Sequence, residues 1–281
     1  MTITNYHPPV DKLLTLGDVG TMPKWLDYRA YGLGVEHIPD LIRMALDEEL
    51  RWTSPDDQAA WAPIHAWRAL GQLRAESAVE PLLGLLHQID DDQDDWTGEE
   101  IPEVMGMIGP AAIPALAAYV ADSSHGLWAS VAASASLKEI GQRHPAARTE
   151  CVATLTRLLE QYQDHDKTVN AELVAGLIAL HAVESAPVIE SAFAAGCVDI
   201  SVSGDWEDVQ VELGLARERT TPRPDYLAES FGPELSASLD DLSQRIQIAK
   251  PPFQPKRTKA KAKKGDKRKQ QEPRGKNKWK R

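Results

Sequence analysis

Apolar residues return along this chain at a fixed set of offsets. Counting from Trp61, the residues five, nine and twelve on are Ala66, Leu70 and Leu73. From Trp96 they are Ile101, Met105 and Ile108, and from Trp128 they are Ala133, Leu137 and Ile140. Thr168 gives Leu173, Leu177 and Leu180; Trp206 gives Val211 and Leu215 before the pattern stops at Glu218. The starting residues lie 35, 32, 40 and 38 apart. At about 100° per residue these offsets fall on one stripe of a helix, and the position eight on is mostly small: Ala69, Val104, Ser136, Gly176, Gly214. The spacing therefore predicts helices that approach a neighbour closely along that stripe. Self-similarity at a period of this length is the signature of a repeat array.

Each of these helices is expected to pair with a second one across a turn, as at Arg74-Ala75-Glu76-Ser77. The second helices carry Ile38 and Leu41, Val79 and Leu82, Ile113 and Leu116, and Val152 and Leu155. Two share the string Ile-Pro-x-Leu, with proline where a first helical turn tolerates it. Residues 1–34 depart from the pattern. Val10–Gly17 and Pro23–Gly34 read as short helices forming an N-terminal cap, with Trp25, Tyr28 and Tyr31 as aromatic bulk. Residues 35–216 are the array. Residues 217–249 begin as a proline-bearing linker and end in an amphipathic stretch, Pro233–Ala249, suited to a C-terminal cap. Residues 250–281 are low in complexity and almost devoid of apolar side chains, so disorder is expected there.

The strings ALGQLRAESAVEPLLGLL, VMGMIGPAAIPALAAYV and SLKEIGQRHPAARTECVATLTRLL resemble HEAT repeats, in particular the short bacterial phycobilisome-lyase-like type. The resemblance covers about Val35 to Leu215. It implies an all-α fold, a right-handed α-solenoid of about five helical hairpins, and a concave face used to bind protein. Three enzymatic branches of similar folds fit poorly. A di-iron branch carries His-Glu dipeptides, whereas none of the eight histidines here precedes glutamate. No motif specific to bilin lyases is present. A DNA-base-excising branch, invited by Trp61, Trp96 and Trp128 with Asp95, needs a basic groove to neutralise phosphates.

The charge distribution argues against such a groove in the array. Between Lys250 and Arg281 fifteen Lys and Arg face two acids, a net of +13, which leaves −24 on the rest of the chain. An acidic body is thus joined to a basic tail. Cys151 and Cys197 are too few for a disulfide framework and read as small buried residues in a reducing cytosol. No apolar run is long enough to span a membrane, so a soluble cytoplasmic protein is expected.

Candidate chemistry is sparse. No glycine-rich phosphate loop, CxxC, HExxH or G-x-S-x-G string occurs. The run Asp90–Asp95 has oxygen ligands at alternate positions, but no mid-loop glycine or spaced glutamate completes a calcium loop. No cofactor or metal is expected, and no enzyme activity. What remains is a face: the offsets four, seven and eleven lie opposite the buried stripe. They hold His65, Arg68 and Gln72, then Glu100, Glu103 and Met107, then Ala132, Ala135 and Glu139. The expectation is a shallow, acidic concave groove for a basic peptide, with Trp61, Trp96 and Trp128 at its rim. Those tryptophans suit either packing or an interface anchor, and His65 either a structural hydrogen bond or a functional role. In the tail, Lys256, Arg257, Lys263, Lys264, Lys267, Arg268, Lys269 and Trp279 would hold an anionic partner, RNA or the ribosome among them.

Overall fold

The computed structural model describes residues 5–22 and 24–226, and every regular element among them is helical. The helices are α1 (Ile38–Ala45), α2 (Glu48–Arg51), α3 (Ala62–Gln72), α4 (Val79–Leu83), α5 (His87–Asp92), α6 (Asp95–Ile108) and α7 (Ile113–Ala121). They continue as α8 (Leu127–Arg143), α9 (Arg148–Leu159), α10 (Lys167–Ala179), α11 (Ala186–Ala194), α12 (Ile200–Ser203) and α13 (Trp206–Glu212). None of them is by itself long and apolar enough to cross a membrane. The expected C-terminal capping stretch and the tail, with all its candidate anion-binding residues, lie outside the described residues.

Two rows of helices pack side by side. One row runs α1, α3, α6, α8, α10, each against the next; the other runs α4, α7, α9, α11. Local chemistry starts and stops the helices. Proline opens α1, α3, α7 and α11 at one of the first two positions, where its missing N–H has no intrahelical partner. Arg74 takes the left-handed conformation (φ 52°) just past α3, and His181 does the same (φ 51°) past α10, which ends each helix in a tight turn.

The repeated stripe is the core. Ala66, Ala69 and Leu70, then Ile101, Val104 and Met105, then Ala133, Ser136 and Leu137, then Leu173, Gly176 and Leu177 are all buried. Four registers thus share one face. The fifth does not: Val211 is half-buried and Leu215 is 45% exposed, while Val209 and Leu213 are buried instead. Helix α13 ends at Glu212 and Gly214 takes a left-handed φ of 75°, so Leu215 lies beyond it. Residues 217–226, expected as a linker, close over that helix. Arg219 pairs with Asp205 at 2.5 Å and Asp208 at 2.8 Å, and Arg223 reaches Asp208 at 2.7 Å. Thr221 donates to Glu207, and the Tyr226 hydroxyl donates to Asp208. Burial pushes the Asp208 carboxyl up, but these donors outweigh it and hold the group down at about 2.

The N-terminal segment forms short helices, all of the 3-10 kind: Val10–Thr15, Val19–Thr21, Tyr28–Tyr31 and Val35–His37. Its aromatic residues divide: Tyr28 is fully buried, whereas Trp25 and Tyr31 are half-buried. The segment packs on α3.

Candidate functional site

The two ends of the stacked helices carry opposite charges, and capping explains why. At the N-terminal ends, carboxylates accept from free backbone amides: Asp57 from Ala59, Asp94 from Thr97, Asp166 from Thr168, Asp205 from Asp208. The α8 end borrows its cap. Gly126 precedes it, and Asp90 reaches from the previous unit to the amides of Trp128 (3.0 Å) and Ala129 (2.9 Å). A Cβ on Gly126 would fall 2.2 Å from that carboxylate, so the position has no room for a side chain. The acidic run is absorbed in the same way: Asp92 and Asp94 also hold Arg51, at 2.9 and 3.3 Å.

At the C-terminal ends, cationic or imidazole side chains donate to carbonyls left without intrahelical partners. Arg29 donates to the Gln72 carbonyl, the His144 ring bonds that of Gly106 at 2.9 Å, and Arg148 donates to those of Leu180 and His181 at 2.8 and 2.9 Å. Acids at these helix starts and bases at these helix ends are also what the macrodipole favours.

The face expected to be open is partly closed. Arg68 is 5% exposed and Glu100 6%, and His65 is fully buried, so these three correct the expectation of an open acidic groove. They form a polar chain beneath the N-terminal segment. Arg68 Nε donates to Glu100 Oε2 at 2.8 Å and its Nη2 donates to Oε1. Burial opposes the guanidinium charge, yet the Glu100 carboxylate more than compensates and holds Arg68 above its usual value. Trp25 covers the guanidinium, with Cζ 4.9 Å from the ring centroid, and Nη1 finds no acceptor. His65 Nε2 lies 2.9 Å from the Gly17 carbonyl and must donate to it; Nδ1 then accepts from the Tyr28 hydroxyl at 2.7 Å. Burial lowers His65 to about 4, against the Gly17 carbonyl and with the help of Arg68, so it is neutral near pH 7. The role is structural: the ring clips the N-terminal segment to α3.

Beyond that clip the face opens into a groove of about 600 Å³ at the C-terminal turns of α3, α6 and α8. Gly71 and Gln72, Gly106 and Met107, and Arg143 and His144 line it, with Trp25–Asp27 and Arg29 on the N-terminal side and Arg74 at the end of α3. Arg29, Arg74 and Arg143 face one carboxylate of the lining, Asp27. The groove is thus mixed in charge, with Arg29 and Arg74 its cationic groups outside any ion pair among the described residues. Glu103 stands at its edge, half exposed, and pairs with Arg143 at 3.1 Å, as Glu139 does at 3.3 Å. The glycines here allow close helix contact: a Cβ on Gly106 would lie 2.7 Å from that of Glu139.

The tryptophans sit at the other helix ends. Trp61 and Trp96 meet edge to face, centroids 5.5 Å apart and planes at 89°. Both are half-buried and frame a cleft of about 180 Å³. Trp128 is separate, 52% exposed beside Ile89, Asp90, Asp95 and Glu99. Two further tryptophans escape a repeat-based reading because they lie off its offsets. Trp67 is buried with its N–H on the Ala45 carbonyl, and Trp52 is 67% exposed, stacked under Arg51. Comparison with family models, with curated proteins and with solved structures finds no match for this chain.

Proposed function

We propose that the chain is a non-enzymatic, cytoplasmic protein-binding scaffold, its two rows of helices forming a right-handed solenoid of HEAT-like hairpins. The observation that carries this reading is the groove lined by the last turns of three consecutive helices. It holds one tryptophan and three arginines, the residue types that most often anchor interfaces. Its charge suits an extended segment with Asp or Glu side chains. Arg74 is exposed and makes no ion pair among the described residues, so it is available to a partner carboxylate. The test is affinity capture from native cytosol by the full chain and by the Arg74→Glu variant. A protein held by the first and lost by the second supports the groove. Equal retention by both, or turnover of a small molecule by purified chain, refutes it.

A second reading rests on a different observation, the +13 between Lys250 and Arg281. Those Lys and Arg residues, with Trp279 as a stacking group, suit RNA or ribosome binding whose affinity falls steeply with salt. A chain ending at Ala249 should lose RNA retention with its helical signal intact; retention by that truncated chain removes the reading.

A further inference from the structure

The cleft at the N-terminal ends of α3 and α6 has a chemistry of its own, opposite to that of the groove. Its walls are the perpendicular indoles of Trp61 and Trp96, and Trp67 and Pro63 also line it. Two of the three indole N–H groups are already used: Trp61 donates to the Pro55 carbonyl at 3.2 Å and Trp67 to the Ala45 carbonyl at 3.0 Å. Those two rings offer a ligand hydrocarbon and π surface. The volume, about 180 Å³, accommodates one compact side chain.

The surroundings select the rest of the ligand. Arg51 closes one side, and three carboxylates converge on it: Asp92 at 2.9 Å, Asp94 at 3.3 Å and Glu48 at 3.9 Å. Asp56 and Asp57, both exposed, come after Pro55 in the loop before Trp61. Three carboxylates against one guanidinium leave this edge negative. An acidic or neutral peptide gains nothing there, whereas Lys or Arg beside the inserted group would be drawn in.

We infer that the Trp61–Trp96 cleft is a second docking site, which takes a proline ring from an extended, Lys- or Arg-bearing segment of a partner protein. Proline suits it on two counts. Its flat apolar ring packs on indole, and a proline-rich segment is extended before it binds, so little conformational entropy is lost. The site lies at the helix ends opposite the groove, and its occupancy does not depend on the groove being a binding site.

The experiment titrates the full chain with a synthetic peptide of eight prolines ending in two arginines, read by intrinsic tryptophan fluorescence and calorimetry. The same peptide with alanine in place of every proline is the control. Saturable binding of the proline peptide is expected, at least about tenfold weaker for Trp61→Ala, the loss typical of an anchor residue. The Asp56→Asn/Asp92→Asn double variant should weaken it by roughly threefold, the scale of exposed charge pairs. Arg74→Glu should bind as the parent does. Equal affinity for the alanine peptide, undiminished binding by Trp61→Ala, or no binding by the parent chain would each overturn the inference. Should Trp61→Ala fail to fold, as judged by circular dichroism, the charge variant and the alanine peptide still decide it.

Discussion

The two faces reached from opposite ends of α3, α6 and α8 differ in sign although they are built from the same helices. At one end, Asp57, Asp90 and Asp94 cap backbone amides and leave an acidic edge dotted with Trp52, Trp61, Trp96 and Trp128. At the other, Arg29 and His144 hold backbone carbonyls, and Arg29 and Arg74 stand in the lining outside any ion pair among the described residues. Surface charge here is thus first a by-product of ending helices. Side chains recruited to satisfy orphan amides and carbonyls then set what each end can attract.

The heaviest loss is expected at the boundary between those faces, the buried Arg68–Glu100 pair. Removing one partner strands a charge, so Arg68→Ala should cost about 3–5 kcal/mol in denaturant unfolding, whereas Arg68→Met with Glu100→Leu should recover most of the loss. A cost below about 1 kcal/mol for the single variant would show that the N-terminal segment does not seal this face. Next comes acidity. His65 is held near 4 in the fold against about 6.5 unfolded. Below about pH 6.5 the unfolded chain therefore takes up a proton that the folded one refuses. The His65 contribution should be full above about pH 6.5, fall by about 3 kcal/mol between there and about pH 4, and level off below, where protonation of Asp208, held down at about 2, takes over the loss. His65→Asn should flatten that decline in unfolding measured across the window.

Smaller effects address the caps themselves. Asp90→Ala should cost about 1 kcal/mol by thermal unfolding, in line with a lost N-cap, and Gly126→Ala should cost at least as much by displacing the same carboxylate. If Asp90→Ala is neutral, the acidic edge is not a consequence of capping. Least of all, Arg74→Glu should change stability by no more than about 0.5 kcal/mol while changing what the groove retains.

Much of the helical core was legible in the sequence because burial follows periodicity. Leu70, Met105, Leu137 and Leu177 occupy the stripe that the offsets define, since a helix carries its apolar face at a fixed angle whatever surrounds it. The fifth register was not legible, because its helix stops at Glu212, where Gly214 turns the chain (φ 75°) before Leu215 can join the stripe. The open face was misread for a related reason. Position on a helix tells which side avoids the neighbouring helix, but not that Gly17, Trp25 and Tyr28 return to cover His65 and Arg68. The groove's sign depended on Arg29 and Arg74, which lie outside the helices that carry the repeat. The tryptophan cleft was half-visible: Trp61 and Trp96 mark equivalent starts of successive units, yet nothing in that spacing places their rings at right angles.

Asp90 limits how such a chain could be rebuilt. The aspartate that completes the start of α8 is encoded 38 residues before Trp128, whose amide it holds, in the unit ahead of that helix. The stretch that begins with α8 is therefore not an interchangeable cassette, unlike those that open on their own aspartate. Excising the unit ahead of it, or splicing in a copy from elsewhere, leaves a raw helix start unless the donor's loop travels with the recipient's glycine. A cut between α5 and α8 separates that aspartate from the helix it completes.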